Sequence, residues 1–404
     1  EGMPLGILLA AAWVDMLSPQ EIAVEIERSL DFLATDLHDM PERQRSIRAV
    51  FDRSWNLLTE REREVFQALS VFRGGFIRAA GQHVSGGALR ELRALAGKSL
   101  LQVTPSGRYE IHELLRQYAA EKLHSFPDAA TDVADRHCAY YTAALKRWEV
   151  DLRGSRQQEA LAEMEEEIGN ISAAWTCAVE RGQVERLDRA MEGFQEFYWN
   201  SGRLREAETP LQAAAAAAAA AAAQGADDRA TCLRVQVRAL AWLSQFQRLT
   251  SQWDAARQLQ QQCAAILQDP ALAESDTRLE RAILSWSMGF AFVTAADYAQ
   301  GKQHTEESYS LFRELGHQWG MAWTLYGLGI QSRYRGDYEE ARQRFEEGLA
   351  INRALGNQSG VAYHVSRLSR TAWRKGRFAE AERLSREGVA TALEVGSRAR
   401  PAFP

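Results

Sequence analysis

Proline is scarce in this chain, nine in 404 residues, and the stretches 128–209 and 271–400 have none. Helices therefore meet few obligatory breaks. Cysteine is scarce too. Cys138, Cys177, Cys232 and Cys263 stand far apart, which excludes a disulfide scaffold and any zinc-finger spacing. They read as free thiols of a reducing compartment, so the sequence points to the cytoplasm. No apolar run approaches the roughly 18 residues that span a bilayer. Gly6–Val14 is apolar but short, with no basic flank and no cleavage site, which argues against a signal peptide. The net charge is only −6, so the chain as a whole is no polyanion binder. Its eight histidines do not pair at metal-ligand spacing, and no Ser/His/Asp set can be assembled. Phosphate-loop chemistry is absent as well. Gly97-Lys98-Ser99 resembles the end of a Walker A loop, but Leu92 stands where that motif needs glycine, and a helix leads into a strand rather than the reverse. No catalysis is expected of these residues.

What is present is helical periodicity, with strand signals only near Ser99–Ile111. Ile47, Val50, Phe51, Trp55 and Leu58 share one helical face over Ser46–Leu58. Thr59 with Glu62 forms a capping-box pattern for a second helix that runs to about Val71, and Gly74-Gly75 breaks it. A short third helix and Ala88–Leu95 follow. Leu100–Val103 and Tyr109–Ile111 read as strands joined by Thr-Pro-Ser-Gly-Arg, good turn chemistry. Helices plus one β-hairpin describe a winged helix over 43–125. The segment is mildly basic, but Ala88–Leu95 carries only Arg90 and Arg93, so direct DNA reading is the secondary expectation. His112 ends the hairpin and opens a helix, with Leu114, Leu115, Tyr118, Ala119 and Leu123 on one face. Backbone N–H groups at such a start favour an anion.

Beyond 126 the sequence repeats. Ala296-Asp-Tyr298, Gly336-Asp-Tyr338 and Gly376-Arg-Phe378 recur every 40 residues, each between two helical patterns. Leu325, Leu328 and Gly329, then Gly336 and Tyr338, then Ala341, Phe345, Gly348 and Leu349 fit a lengthened tetratricopeptide-type unit. Weaker units fall at Leu240–Ala264, with Trp253 at the aromatic turn position, and at Phe194–Leu211. Asp132–Arg181 reads as one irregular pair. Five or six units stack into a superhelix over 126–404. Its first helices line a concave face on which aromatics alternate with arginines. Arg238 and Arg248 belong to it, then Trp286, then Trp323, Tyr326 and Arg333, then Tyr363, Arg370 and Trp373. Such a face suits a protein, peptide or small-molecule ligand. Ala213–Ala223 lacks the polar outer face of an amphipathic helix and reads as stand-ins for other residues; an intact mass tests this.

Three motifs carry a family resemblance. Gly2-Met3-Pro4-Leu5 resembles the GLPL motif of the NB-ARC ATPases of the STAND class. Leu69-Ser-Val-Phe-Arg-Gly-Gly-Phe76 is similar to the LSVF-x-GGF segment of bacterial regulators of that class. Ile111-His112-Glu113 stands where the family has MHD, with glutamate for aspartate, and Gly6 replaces the alanine usual after GLPL. The resemblance implies that residues 1–42 end the ATPase helical region, and that Gly2, Pro4 and His112 contact ADP or ATP, held with Mg by an ATPase module encoded before residue 1. His112 would meet the β-phosphate and lock the closed state. The chain would then be a fragment without ATPase activity of its own, belonging to an ATP-hydrolysing parent. Its partners would be that ATPase module and a trigger on the repeats, with no membrane. The favoured expectation is a regulatory and sensor fragment of a STAND signalling ATPase, active in transcription or in a bacterial conflict system. The alternative is a winged-helix DNA-binding regulator with a repeat interaction domain, and a third is a passive scaffold.

Overall fold

The computed structural model describes residues 4–11, 13–14, 16–28, 32–33, 46–225 and 228–394. Gly2 lies outside them, as does the side chain of Pro4. The described residues are mainly α-helical, with one two-stranded sheet among them. They form two compact units, Glu1–Tyr141 with Glu166–Ala174, and Thr142–Glu165 with Trp175–Pro404.

The first unit opens with α1 (Pro4–Ala11) and α2 (Pro19–Arg28) and builds the winged helix from α3 (Ile47–Asn56) onward. Ser46 caps α3 by accepting from the Arg48 N–H at 3.2 Å. The capping box opens α4 (Glu60–Leu69) as the sequence predicts: Thr59 Oγ1 accepts from Glu62 N–H at 3.3 Å, and Glu62 accepts from Thr59 N–H at 2.7 Å. After α4 the chain turns through Gly74 at φ +81°, a region where glycine has no steric cost. Phe76 then bridges to Tyr109, its N–H donating to the Tyr109 carbonyl at 2.9 Å. Next come α5 (Arg78–Ser85) and α6 (Leu89–Gly97). The wing is β1 (Gln102–Val103) antiparallel to β2 (Tyr109–Glu110), with Gln102 opposite Glu110 and Val103 opposite Tyr109. It leads into α7 (Glu113–His124). Ile47, Val65, Phe66, Leu69, Leu92 and Tyr118 are buried in this core.

Three helices follow: α8 (Pro127–Leu152), α9 (Gln157–Glu166) and α10 (Ile168–Glu180). Asp132–Arg181 is therefore not one irregular pair, because Gly154 and a second break near Glu167 cut the segment into three. Asn170, fully buried on α10, fastens that helix to the winged helix. Its Nδ2 donates to the Gly75 carbonyl at 2.9 Å, and its Oδ1 accepts from the Arg73 N–H at 2.7 Å. Arg108 from the wing meets Glu167 at 2.6 Å, and the Tyr141 hydroxyl donates to the same carboxylate at 2.7 Å. The approach is close enough that a Cβ on Gly169 would come within 2.8 Å of the Arg73 carbonyl oxygen.

The second unit is a run of helix pairs: α11 (Val184–Ser201) with α12 (Glu208–Ala223), α13 (Arg229–Leu249) with α14 (Trp253–Ile266), and α15 (Arg278–Thr294) with α16 (Tyr298–Glu314). Then come α17 (Gln318–Tyr334) with α18 (Tyr338–Leu355) and α19 (Gln358–Arg374) with α20 (Phe378–Glu394). α15, α17 and α19 start at Arg278, Gln318 and Gln358, so the 40-residue period seen in the turns holds for whole helices. A left-handed residue precedes the second helix in each of the last four pairs: Ser251 at φ 68°, Ala296 at 60°, Gly336 at 85° and Gly376 at 72°. Asp297 and Asp337 cap the following helices by accepting from Gln300 and Glu340 N–H. Helices α17 and α18 close around Gly329, where a Cβ would meet the fully buried Phe345 ring at 2.5 Å. Phe345, Val365, Leu368 and Ala372 belong to the core of the last pairs.

Candidate functional site

Helix α7 presents His112 at its start, as the sequence predicts. The ring turns back onto its own helix, Nδ1 accepting from the Leu114 N–H at 3.3 Å, so His112 is the N-cap residue. One of the N–H groups available to an anion is thereby taken by the ring itself. Glu113 is paired with Arg116, at 2.7 and 2.8 Å. Burial works against the charged form of Glu113, but the Arg116 contacts outweigh it and hold the carboxyl below its usual range. Arg116 also donates to the Ser70 carbonyl at 3.0 Å, so the start of α7 is tied to the end of α4.

The repeat unit holds a groove of about 1520 Å³. That is above the roughly 300–1,000 Å³ of drug-sized ligand pockets. The first helices of the pairs supply it in order. Helix α13 contributes Arg248, α15 contributes Trp286, α17 contributes Trp323, Tyr326 and Arg333, and α19 contributes Tyr363 and Arg370. These are the residues expected on the concave face. The period of 40 places them at matching positions of successive helices, so they converge on one wall.

Two expected residues are not among those lining the groove. Arg238 lies seven residues before Gln245 on the same stripe of α13, but it is 4% exposed, and its guanidinium is taken by Asp188 and by Glu280. Buried carboxylates consume its charge at that depth. Trp373 is 57% exposed and lies beneath the Arg374 guanidinium, 5.4 Å from the ring centroid. It is three residues past Arg370, which rotates it off the stripe. Sequence reading missed Arg203, Arg205, Tyr298 and Arg367, all of which line the groove. The signal for Arg367 is present, since it follows Tyr363 by four residues.

An aromatic chain runs along the wall. Trp199 lies 5.7 Å from Trp286 and 5.5 Å from Trp323, and Trp323 lies 5.5 Å from Tyr326 and 5.3 Å from Tyr363. Guanidiniums sit against it. Arg248 stacks over Phe290 at 4.9 Å and donates to Gln245 at 3.0 Å. Arg367 lies over Tyr326 at 5.3 Å and donates to its hydroxyl at 2.8 Å. Burial, then the charges of Arg367 and Arg333, hold Arg370 below the usual guanidinium range. Glu206 is the single carboxylate among the described lining residues, and Arg203 pairs with it. The wall is therefore cationic and aromatic although the chain as a whole is acidic.

No group of His, Cys, Asp and Glu able to hold a metal ion occurs among the described residues, and no described helix is long and apolar enough to cross a membrane. All four cysteines are free. Burial pushes the Cys263 thiol up to about 12, which makes it inert as a nucleophile.

Fold and groove define a tetratricopeptide-repeat protein with a winged-helix unit ahead of the repeats. The tetratricopeptide-repeat family model matches residues 280–354 and 321–394. A protein of Mycobacterium tuberculosis, named as a candidate HTH-type transcriptional regulator, is 34% identical over 216 residues, 51% of this chain and 24% of its own length. An uncharacterized protein of the same organism is 31% identical over 158 residues, 36% of this chain and 39% of its own. The chain thus spans about a quarter of the length of the regulators it matches. Among solved structures, a Signal Transduction ATPase with Numerous Domains with a tetratricopeptide repeat sensor, from Pyrococcus horikoshii, superposes with a TM-score of 0.50 at 12% identity, over 98% of this chain and 60% of that one. The resemblance to STAND regulators carried by the three motifs accordingly extends to the fold.

Proposed function

We propose that this chain is the regulatory and sensor part of a STAND signal-transduction ATPase. In this reading the repeats recognise a trigger through the groove, and the winged helix restrains an ATPase module through the nucleotide that module holds. The observation that carries it is the groove itself, a cationic aromatic wall built from equivalent positions of successive first helices. A passive stack would have no reason to align half-buried tryptophan, tyrosine and arginine there.

His112 fits a nucleotide phosphate. Because Nδ1 accepts from Leu114 N–H, the neutral ring carries its proton on Nε2, the form that donates to an anionic oxygen. A charge-assisted contact of this kind is worth about 1.5–3 kcal/mol, which biases an off/on equilibrium about 10- to 150-fold. The nucleotide, ADP or ATP with Mg, would be bound chiefly by the ATPase module, and hydrolysis would belong to that module. This chain supplies the histidine and the helix behind it. In the full-length protein, His112→Ala is expected to release ADP faster and raise output without trigger. Arg370→Glu is expected to leave ADP retention unchanged and abolish the trigger response. If His112→Ala keeps ADP and stays silent, the winged helix is not the nucleotide sensor.

The names of the relatives favour a second reading, in which the winged helix binds DNA. It predicts site-preferring binding whose affinity falls steeply with salt. Binding without such a slope or preference removes it.

A further inference from the structure

The groove is not uniform along its length. At the α17–α19 end three guanidiniums crowd together: Arg333, Arg367 and Arg370. Arg367 is committed to the Tyr326 hydroxyl. Arg333 lies over the Tyr334 ring at 4.8 Å, and its buried Nε makes no hydrogen bond. Like charges at close quarters repel, and burial adds to the cost, which is why Arg370 loses its proton more readily than an ordinary arginine. An anion placed between them relieves both costs. One carboxylate supplies a single charge, whereas a phosphate supplies up to two, with three oxygens for the guanidinium forks. Ser366 and Ser385 line the same wall and add hydroxyl donors.

Beside this cluster stand Trp323 and Tyr363, both half-buried, with centroids 5.3 Å apart and planes at 57°. Both line the groove, and both offer ring surface on which a planar heterocycle can stack, as bases do on aromatic platforms.

We propose that the α17–α19 end of the groove binds a nucleoside phosphate, its phosphate between Arg333 and Arg370 and its base against Trp323 and Tyr363. The assignment rests on the reading of the repeats as the sensor and names the class of ligand sensed. The site lies on the repeat helices and is separate from the nucleotide contact of His112. The groove volume exceeds what one nucleotide fills, so the ligand occupies one end.

Calorimetric titration of this chain with AMP, adenosine, ribose 5-phosphate and O-phosphotyrosine tests it. AMP is expected to bind at least about tenfold more tightly than the other three, and more weakly as salt rises. Arg333→Gln and Arg370→Gln are each expected to weaken AMP binding about tenfold or more with adenosine binding unchanged. Thermal melts confirm that both variants fold, and Tyr363→Leu is expected to weaken adenosine and AMP alike. AMP binding no tighter than ribose 5-phosphate, O-phosphotyrosine binding as tightly as AMP, or indifference to both arginine substitutions overturns the proposal. If none of the four probes binds, but Arg370→Glu still silences the full-length protein, the ligand class falls and the sensor reading stands.

Discussion

Arg153 and Glu196 form an ion pair at 2.6 Å inside the repeat unit, where Glu196 has no exposed surface. The same guanidinium meets Glu149 at 2.6 Å and Glu192 at 3.6 Å, and lies over the Trp319 ring at 5.2 Å. Three carboxylates thus share one buried cation, with Lys146 reaching Glu149 from the surface at 2.8 Å. One negative charge is in excess. Burial pushes the Glu196 and Glu192 carboxyls up toward neutrality, Arg153 pulls them back only in part, and neighbouring carboxylates add to the rise.

This pair makes the stability of the repeat unit depend on pH in a stated direction. From the ordinary carboxylate range up to near neutrality, the folded state keeps protons that the unfolded chain has lost, so stability falls as pH rises through that window. Two buried histidines act on the acid side. Burial holds His364 down to about 4, and burial with the Arg153 charge holds His317 down to about 3. Below about 6.5 the unfolded chain takes up protons that these rings refuse, so stability also falls toward acid. Melting temperature against pH is expected to peak between the two limbs. Glu196→Gln should flatten the alkaline limb and leave the acid limb in place. An unchanged alkaline limb in that variant would falsify the assignment.

Ala296 holds a left-handed backbone position that its counterparts fill with Gly336 and Gly376. A Cβ in that region costs about 1–2 kcal/mol, while a free glycine loses about 0.5–1 kcal/mol more entropy on folding than alanine. The strain therefore outweighs the entropy. Ala296→Gly is expected to stabilise the unit by up to about 1 kcal/mol, read as a higher urea midpoint with an unchanged m-value. A lower midpoint counts against the turn geometry.

Gly329→Ala sets two effects against each other. Helix propensity favours alanine by about 1 kcal/mol. The new methyl would press on Phe345, which is fully buried, and such overpacking costs about 1–3 kcal/mol. Destabilisation is expected, with partial recovery in the double variant carrying Phe345→Leu. Denaturant titration of the two single variants and the double measures this coupling.

Asn170→Ala removes partners from Gly75, Arg73 and Glu167 together. Each buried polar group left unsatisfied costs about 1–3 kcal/mol, so the first unit should lose at least about 2 kcal/mol. Hydrogen exchange at the Arg73 amide should accelerate in step. If exchange there is unchanged, Asn170 does not hold this turn.

The sequence makes the winged helix legible because its signals are local. The Thr59–Glu62 capping box, the Gly74 break and the turn before Tyr109 each act within a few residues. The repeats are legible through their period, which also brings Trp323, Arg333, Tyr363 and Arg370 to one wall. Arg238 shows where such reading stops. It shares the stripe of Gln245, but Asp188 and Glu280, 50 and 42 residues away along the chain, decide that its charge is spent in the core. Arg367 was hidden for the opposite reason, since in sequence it is one arginine among several on α19. The split of Asp132–Arg181 into three helices depends on contacts from α10 to Arg73 and Gly75, pairings more than 90 residues long that no local pattern announces.

Helices α15, α17 and α19 begin at intervals of 40 residues and end in turns of the same shape. Units this uniform are interchangeable parts. Unequal crossing-over between any two of them, at any matched position, adds or deletes one complete helix pair and leaves the packing register of its neighbours intact. The recognition wall could therefore be lengthened, shortened or reshuffled in a single genetic event, with the winged helix left as it was.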